Sequence, residues 1–533
     1  MSDEVNAPAA AASGASKMLK EGGKLSLLTL VSRVLGLVRE MTKAGFIGTG
    51  SLAEAFTVAF QIPNFMRRLF AENSITVAFI PTFSGYLQDK DDAKTREFLS
   101  ATLTVLVVSV TATIALGIAA TPWLVTLLFK SDPAETIVLT QLMFPFLGLV
   151  SLAALFQGIL NSIGVFTPSA LGPILFNLCF IAVPALVGGL AGNPARAMAV
   201  GVLVGGLVQA ACQLPAVLRA GFRFGFIGLG RAFRNPGMRK VLALIAPTIL
   251  GMAAYQLNDL VCTSIASSVK AAASIQYSMR LLELVLGVFA VSAGTVILPR
   301  LAAAARSGDW SEFSGSLDRV MRTMLLVTVP VALFSMTAGE DIVAVVYRRG
   351  EFGAESLAQT TATFFFHMMG LAFIALNRVV APAFYARQDA KTPTWAGIAA
   401  FFVNSVLALA LAAPMGGPGI ALALSVSSAV NTLLLALALL RSDLPGIRAA
   451  LAASGGYFLR LLGFSLVAAA PVYLLRPWMV AVAAGIGSPF LASLAVLLAE
   501  SLLFGALGIG LLALSRDEVA TSFLRGLSRR RRK

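Results

Sequence analysis

Arg33, Arg39, Arg67, Arg68, Arg280 and Glu283 sit inside stretches that otherwise read as membrane-spanning helices. A charge at the centre of such a helix costs about 2.5–3.5 kcal/mol on insertion scales. A chain that keeps several of them is expected to turn them toward a watery cavity or a ligand. Most are guanidinium groups, whose planar forks match phosphate oxygens with two parallel hydrogen bonds. The chemistry they suggest is capture of an anion, and Arg33, Arg39, Arg67 and Arg280 could clamp a phosphate or diphosphate.

The spacing sharpens this. Ser32, Gly36, Arg39 and Lys43 fall on one stripe of a helix at about 100° per residue, with Arg33 at its flank. Leu30, Val34, Leu37 and Met41 make the opposite, apolar side. A lipid-facing helix would not keep such a stripe, so it is expected to line a cavity. Lys43, near the end of the span, could instead snorkel to an interface. On the next span Glu54 stands at the start and Asn64, Arg67, Arg68 and Glu72 follow Pro63, which lacks a backbone donor and is expected to kink or break the helix. Arg67 and Arg68 point about 100° apart, so only one can aim at the cavity centre and the other could pair with Glu72. Further along, Arg280 and Glu283 are i, i+3 neighbours that could pair. Asp259, beside Asn258, is a candidate for binding a coupling cation or proton, or a counter-ion for Arg280.

The elements that must position these groups are long and apolar. The chain has 533 residues, 57% hydrophobic and 13% charged, with a mean hydropathy of +0.84. Repeated apolar runs of about 20 residues make it an all-α, polytopic membrane protein and leave no room for a sizeable soluble domain. Strand alternation is absent, which argues against an outer-membrane barrel. Apolar segments near 24–48, 54–85, 98–129, 137–161, 169–190, 197–218, 241–267, 273–299, 320–346, 356–385, 394–413, 418–440, 457–476 and 488–514 give about fourteen spans.

The net charge of +15 is read through the positive-inside rule and not as a nucleic-acid signal. Sorted by alternate loops, roughly two thirds of the 41 Lys and Arg fall on one side with both termini. The other side holds Lys130, Arg196, Lys270, Arg348, Arg349 and Arg476. Both termini are therefore expected in the cytoplasm. Residues 1–23, rich in Ala, Ser and Gly, lack the features of a signal peptide and read as a disordered cytoplasmic tail. The basic end, Arg529 to Lys533, reads as a topology anchor beside anionic lipid.

Phe79-Ile80-Pro81 recurs as Ile297-Leu298-Pro299, Leu127-Leu128-Phe129 as Val345-Val346-Tyr347, and Thr167-Pro168 as Thr392-Pro393. A shift of about 220 residues spans six helices and keeps their direction, the plan of parallel-repeat transporters. The chain divides into an N-lobe (24–218), a basic linker (219–240), a C-lobe (241–440), two further helices (441–515) and a basic tail (516–533).

Other signals point to packing. Cys179, Cys212 and Cys262 have no metal-ligand spacing and read as small interior residues. The sole histidine, His367, reads as a packed helix residue. Gly48-Thr49-Gly50 reads as a tight turn, and Gly201 and Gly205 as a small-xxx-small packing pair. No phosphate-binding loop suggests ATP hydrolysis, and no catalytic residue, metal ligand or cofactor is assigned.

The run Ser32-Arg33-Val34-Leu35-Gly36-Leu37-Val38-Arg39-Glu40, then Glu54-Ala55-Phe56, then Pro63-Asn64 through Arg67-Arg68-Leu69-Phe70-Ala71-Glu72, closely resembles the MurJ (MviN) family of lipid II flippases in the multidrug/oligosaccharidyl-lipid/polysaccharide exporter superfamily. The segments Tyr277 to Gly287, Pro382 to Asp389 and Lys391-Thr392-Pro393 resemble it too. The resemblance implies two six-helix lobes around a cationic cavity, with the two further helices forming a groove for the lipid tail. It implies alternating access that moves an undecaprenyl-diphosphate disaccharide-pentapeptide from the inner to the outer leaflet of the bacterial cytoplasmic membrane, as peptidoglycan synthesis and cell shape require. Partners would be lipid II, membrane lipids and the cell-wall synthesis and division machinery. By this likeness Arg33, Arg39, Arg67 and Arg280 would contact the diphosphate-sugar headgroup, with Glu54 and Glu283 gating or orienting them. Glu54 stands where the family commonly has Asp, and Asn73-Ser74 replaces a small Gly. Some relatives carry a sodium site in the second lobe; here 394–413 offers Asn404 and no acid, which argues against sodium and leaves membrane potential or protons as the expected sources of drive.

Other readings are a related exporter of another polyprenyl-diphosphate saccharide or of drugs, a membrane glycosyltransferase, or a non-transporting scaffold. A cationic-drug exporter should favour acids where this chain has arginines. A glycosyltransferase needs a sizeable outer loop, and a scaffold has no use for buried guanidinium groups.

Overall fold

A computed structural model describes residues 7–68, 78–129 and 133–521; side chains of 7–22, Ser26, 189–191, 246–257 and 288–297 are not described. Among the described residues all regular structure is helical. The chain forms two compact units, 1–264 and 265–533.

The first unit holds α1 (Ala7–Ile47), α2 (Ser51–Arg67), α3 (Ile80–Gln88), α4 (Asp92–Leu128), α5 (Pro133–Met143), α6 (Phe146–Ser162), α7 (Thr167–Ala191), α8 (Pro194–Ala211), the short α9 (Leu214–Arg219) and α10 (Leu229–Arg234), and most of α11 (Pro236–Ser268). The second continues with α12 (Ala272–Ser307), α13 (Trp310–Thr337), α14 (Gly339–Tyr347), α15 (Ala354–Met369), α16 (Leu371–Ala386), α17 (Lys391–Met415), α18 (Gly417–Arg441), α19 (Ile447–Ala483) and α20 (Pro489–Leu514). The division falls within α11, beyond the basic linker at 219–240, and the last two helices belong to the second unit.

Nine helices among the described residues are long and apolar enough to cross a bilayer, or ten if the pair Ala354–Met369 and Leu371–Ala386, bent by 42°, is one span. The about fourteen spans read from hydropathy also include α1, α2, α11 and α12. These four carry the charges discussed above. On the apolar helices Leu186, Trp395, Leu474 and Leu502 stand exposed, a surface that suits acyl chains and not water.

The internal repeat extends to helix caps. Asp91 accepts the Lys94 amide at 3.0 Å to start α4, and Asp309 accepts the Glu312 amide at 2.9 Å to start α13. These caps are related by the same shift that relates Phe79-Ile80-Pro81 to Ile297-Leu298-Pro299. A side-chain oxygen there satisfies one of the orphan amides of the first turn. The broken span recurs too: α5 gives way to α6 around Phe144-Pro145, and α15 bends into α16 at Gly370.

Several expectations change. The segment 1–23 was expected to be disordered, yet the backbone is helical from Ala7; its many alanines carry the highest helix propensity. Pro63 does not end its helix. The α geometry runs through it to Arg67, and a wider π-type turn follows at Arg68. The interval between the apolar segments 273–299 and 320–346 is mostly helical, because α12 runs to Ser307 and α13 starts at Trp310.

The small elements behave as read. Gly48 takes φ +57° in the turn between α1 and α2, a conformation open to glycine. A Cβ on Gly205 would lie 2.8 Å from the Phe176 ring, and one on Gly201 3.4 Å from Pro184, so both glycines let α8 approach α7. The three cysteines form no disulfide. His367 is buried in α15 and its Nδ1 lies 2.6 Å from Ser278 Oγ on α12.

Candidate substrate-binding site

In the first unit the polar stripe of α1 faces inward. Gly36, Glu40 and Lys43 are buried, while Leu30 and Val34 are exposed. Arg39 Nη1 donates to Asn177 Oδ1 of α7 at 3.2 Å, and Nη2 donates to Glu40 Oε1 at 2.7 Å. Its guanidinium carbon stands 5.6 Å from the centre of the Phe180 ring, within cation–π range. Asn177 Nδ2 in turn donates to Ser32 O at 3.3 Å. Arg39 is thereby fixed in direction, yet its side chain keeps 22% of its surface exposed.

Lys43 does not snorkel. It is 3% exposed, donates to Thr57 Oγ1 of α2 at 3.3 Å and lies 3.8 Å from Glu40 Oε2. Glu54, in the first turn of α2 and 2% exposed, is within electrostatic reach of this ammonium. An acid is favoured there because the helix N-terminus carries a partial positive charge. The stripe thus packs on α2 and α7 over part of its length and does not line open space throughout. Arg33, by contrast, is exposed on α1.

At the far end of α2 the neighbouring arginines diverge as their spacing requires. Arg67 Nε donates to Asn64 Oδ1 at 3.0 Å. Arg68 Nη1 donates to Asp259 Oδ2 of α11 at 3.3 Å, and Gln61 Nε2 donates to the same oxygen at 2.9 Å. Asp259 is thus a counter-ion of Arg68. Glu72, the other partner considered for this arginine pair, lies outside the described residues.

In the second unit Arg280 Nη1 donates to Glu283 Oε2 at 3.0 Å, the pair anticipated from their spacing. Asn404 is buried in α17. Asn258 is half-buried on α11, where Cys262 Sγ approaches its Oδ1 at 3.8 Å. Asp259 and Asn258 belong to the first unit and Asn404 to the second. Among the described residues no three His, Cys, Asp or Glu side chains gather as metal ligands.

Four groups escaped the sequence reading as members of this constellation. Glu40 stands in the motif with no partner assigned from sequence; it accepts from Arg39 and lies 3.8 Å from Lys43. Asn177, Thr57 and Gln61 hold the charged side chains in place. Asn177 is the one carboxamide in the apolar run of α7, and that isolation was the available signal.

Solved structures of membrane transporters share the fold of this helical chain. An inward-facing multidrug-resistance MATE transporter of the MOP superfamily aligns with a TM-score of 0.63 at 12% identity, covering 80% of this chain and 95% of that one. The inward closed conformation of a lipid II flippase MurJ aligns with a TM-score of 0.70 at 21% identity, covering 90% and 98%. These likenesses establish the fold. The family model described as "Lipid II flippase MurJ" matches residues 43–512, and the chain belongs to that family. A probable lipid II flippase MurJ of Treponema pallidum is 43% identical over 521 residues, 96% of this chain and 98% of that protein. The lipid II flippase MurJ of Burkholderia cenocepacia is 33% identical over 425 residues, covering 78% and 82%.

Proposed function

We propose that this protein is a lipid II flippase: it carries the undecaprenyl-diphosphate disaccharide-pentapeptide across the bacterial cytoplasmic membrane for peptidoglycan synthesis. It is a transporter and not an enzyme. Its family membership along nearly the whole chain supports this reading. The observation that carries it physically is Arg39, a guanidinium within a membrane-embedded helix, oriented by Asn177 and Phe180 and still partly exposed.

In this reading Arg33, Arg39 and Arg67 of the first unit and Arg280 of the second bind the diphosphate and its sugar. A diphosphate offers more charge and more acceptors than a single carboxylate. It therefore competes with Glu40 for Arg39 and with Glu283 for Arg280 through charge-assisted hydrogen bonds. Glu40, Glu54 and Glu283 hold the cations ready and take them back on release. Arg68 and Asp259 form a second exchangeable pair. Alternating access follows from differential binding: the headgroup stabilises the arrangement in which its cations engage it, which shifts the population. The lipid tail stays in hydrocarbon along α19 and α20, and both termini lie in the cytoplasm. Membrane potential or protons supply the drive, and the cell-wall synthesis and division machinery takes up the product.

Arg33→Ala and Arg280→Ala are expected to abolish growth support in cells depleted of their own flippase, while each variant still accumulates in the membrane. Normal complementation by both would remove the charge-clamp model.

A further inference from the structure

The most deeply buried acid in the second unit lies outside this constellation. Glu500 is 0% exposed and is the one charged residue of α20. It occupies the middle of a single inward stripe, Val496, Glu500 and Phe504, the only residues of that helix that are buried. Phe504 packs against Phe334 of α13, with ring centres 5.2 Å apart. Neither Glu500 carboxylate oxygen has a hydrogen-bond partner among the described residues.

One cation stands nearby, and it is already engaged. Arg476 of α19 donates from Nε to Asp341 Oδ2 at 2.8 Å and from Nη2 to Glu340 Oε2 at 2.8 Å. Both acids belong to the first turn of α14. Arg476 Nε is 3.6 Å from Glu500 Oε1, close enough for attraction but beyond a hydrogen bond. The helices packed on α20 are α13, α14 and α19. From α14 come Glu340 and Asp341, and from α19 comes Arg476. The ion-paired side chains of α13 lie between Glu312 and Arg322, well before Phe334.

Three carboxylates therefore share one guanidinium. Glu340 is 52% exposed. Asp341 is satisfied by its bond to Arg476. Glu500 is shut off from the surface and makes no hydrogen bond among the described residues, so an ionised carboxylate there has only the Arg476 guanidinium at 3.6 Å to offset its lost hydration. A proton neutralises such a carboxylate and needs no further ligands.

We propose that Glu500 is a proton-binding site, occupied in this arrangement and emptied when Arg476 turns from Asp341 to the Glu500 carboxylate. The proton and the guanidinium compete for one carboxyl group. In the protonated form Arg476 ties α19 to α14. In the ionised form it closes on Glu500 between α19 and α20, and the proton passes to solvent on the side of the exposed Glu340. Protonation is thereby linked to how the last two helices attach to the rest of their unit.

The test is infrared difference spectroscopy on the full chain in lipid vesicles, titrated with acid and base. At neutral pH the wild type should show the C=O stretch of a protonated carboxylic acid, and E500Q should lose it while folding normally, because the replacement is neutral and nearly isosteric. Asp341→Asn should weaken or abolish the same band at neutral pH by releasing Arg476 to pair with Glu500. That variant keeps Glu500, so the test survives even if E500Q misfolds. No protonated band in the wild type, or one that persists in E500Q, would overturn the proposal; a band unchanged in Asp341→Asn would remove the exchange of Arg476. Because the readout is a carboxyl vibration and not transport, any of these results leaves the flippase reading standing.

Discussion

Arg39 and Asn177 form a bridge between α1 and α7, with Nη1 to Oδ1 at 3.2 Å, and Asn177 passes the contact on to Ser32 O. A guanidinium intended for a passing anion must be held in direction without being consumed. The carboxamide does this without neutralising the charge, as a second carboxylate would. Asn177→Leu should leave the protein in the membrane and reduce flipping. A hydrogen bond to a charged group is worth about 1.5–3 kcal/mol, so a loss of transport of about tenfold or more is expected. Complementation titrated against expression level checks this; wild-type activity in Asn177→Leu would show that Arg39 needs no such support.

Lys43 illustrates the opposite case, a cation that is consumed. It is enclosed with Glu40 and Thr57 and has Glu54 nearby. Lys43→Met removes the ammonium and leaves carboxylates buried with less compensation. Breaking a buried pair on one side costs about 3–5 kcal/mol, so the folded yield and melting temperature should fall clearly. Lys43→Arg, which keeps the charge, should be milder. Thermal melts in detergent of both variants decide this, and a Lys43→Met protein as stable as wild type would contradict the assigned role.

The pair Arg68 and Asp259 is more open, with side chains 34% and 45% exposed. Exposed pairs contribute about 0.2–1 kcal/mol. Asp259→Asn should therefore change stability little and transport more. A double-mutant cycle with Arg68→Gln, read by melting, should give a coupling of less than about 1 kcal/mol. A much larger coupling would make the pair a structural clip and not an exchangeable contact.

The sequence exposes the membrane class, the repeat and the charged helices because each rests on a local pattern: hydropathy, a recurring tripeptide, or a charge within an apolar run. It does not expose which cations are free and which are enclosed. Lys43 lies on the same stripe as Arg39, and only packing against α2 separates their fates. Asp259 could be matched to several arginines until the fold brought Gln61 and Arg68 to it. Glu500 carries the same kind of signal as Arg33, a charge deep in a span, and its neighbour Arg476, with the Asp341 that Arg476 binds, is too distant in sequence to be anticipated. The helical start at Ala7 and the unbroken passage through Pro63 are cases where propensity and local packing decide against a simple reading of composition or of proline.

Outside the spans, Asp389, at the end of the family-like segment Pro382 to Asp389, holds the start of a helix. It precedes Ala390, the N-cap of α17, and accepts from Thr392 N at 3.0 Å and Thr392 Oγ1 at 2.6 Å. These bonds hold its carboxyl below the ordinary value of 3.8. A depressed carboxylate contributes stability above the unfolded value, and that contribution fades as pH falls through the lower folded value. Asp389→Ala should cost about 1 kcal/mol, as capping residues do, at neutral pH. The difference between wild type and Asp389→Ala should shrink only in strong acid. Melting curves across pH test this, and a difference that disappears near neutrality would contradict it.

The most direct measurement is a leaflet-access assay for lipid II in cells depleted of their own flippase and supplied with this protein or with Arg39→Ala. The wild type should deliver the precursor to the outer leaflet. Arg39→Ala, present in the membrane at an equal level, should leave it on the inner leaflet. Outer-leaflet delivery by Arg39→Ala at the wild-type rate, or retention by the wild type itself, would contradict the account.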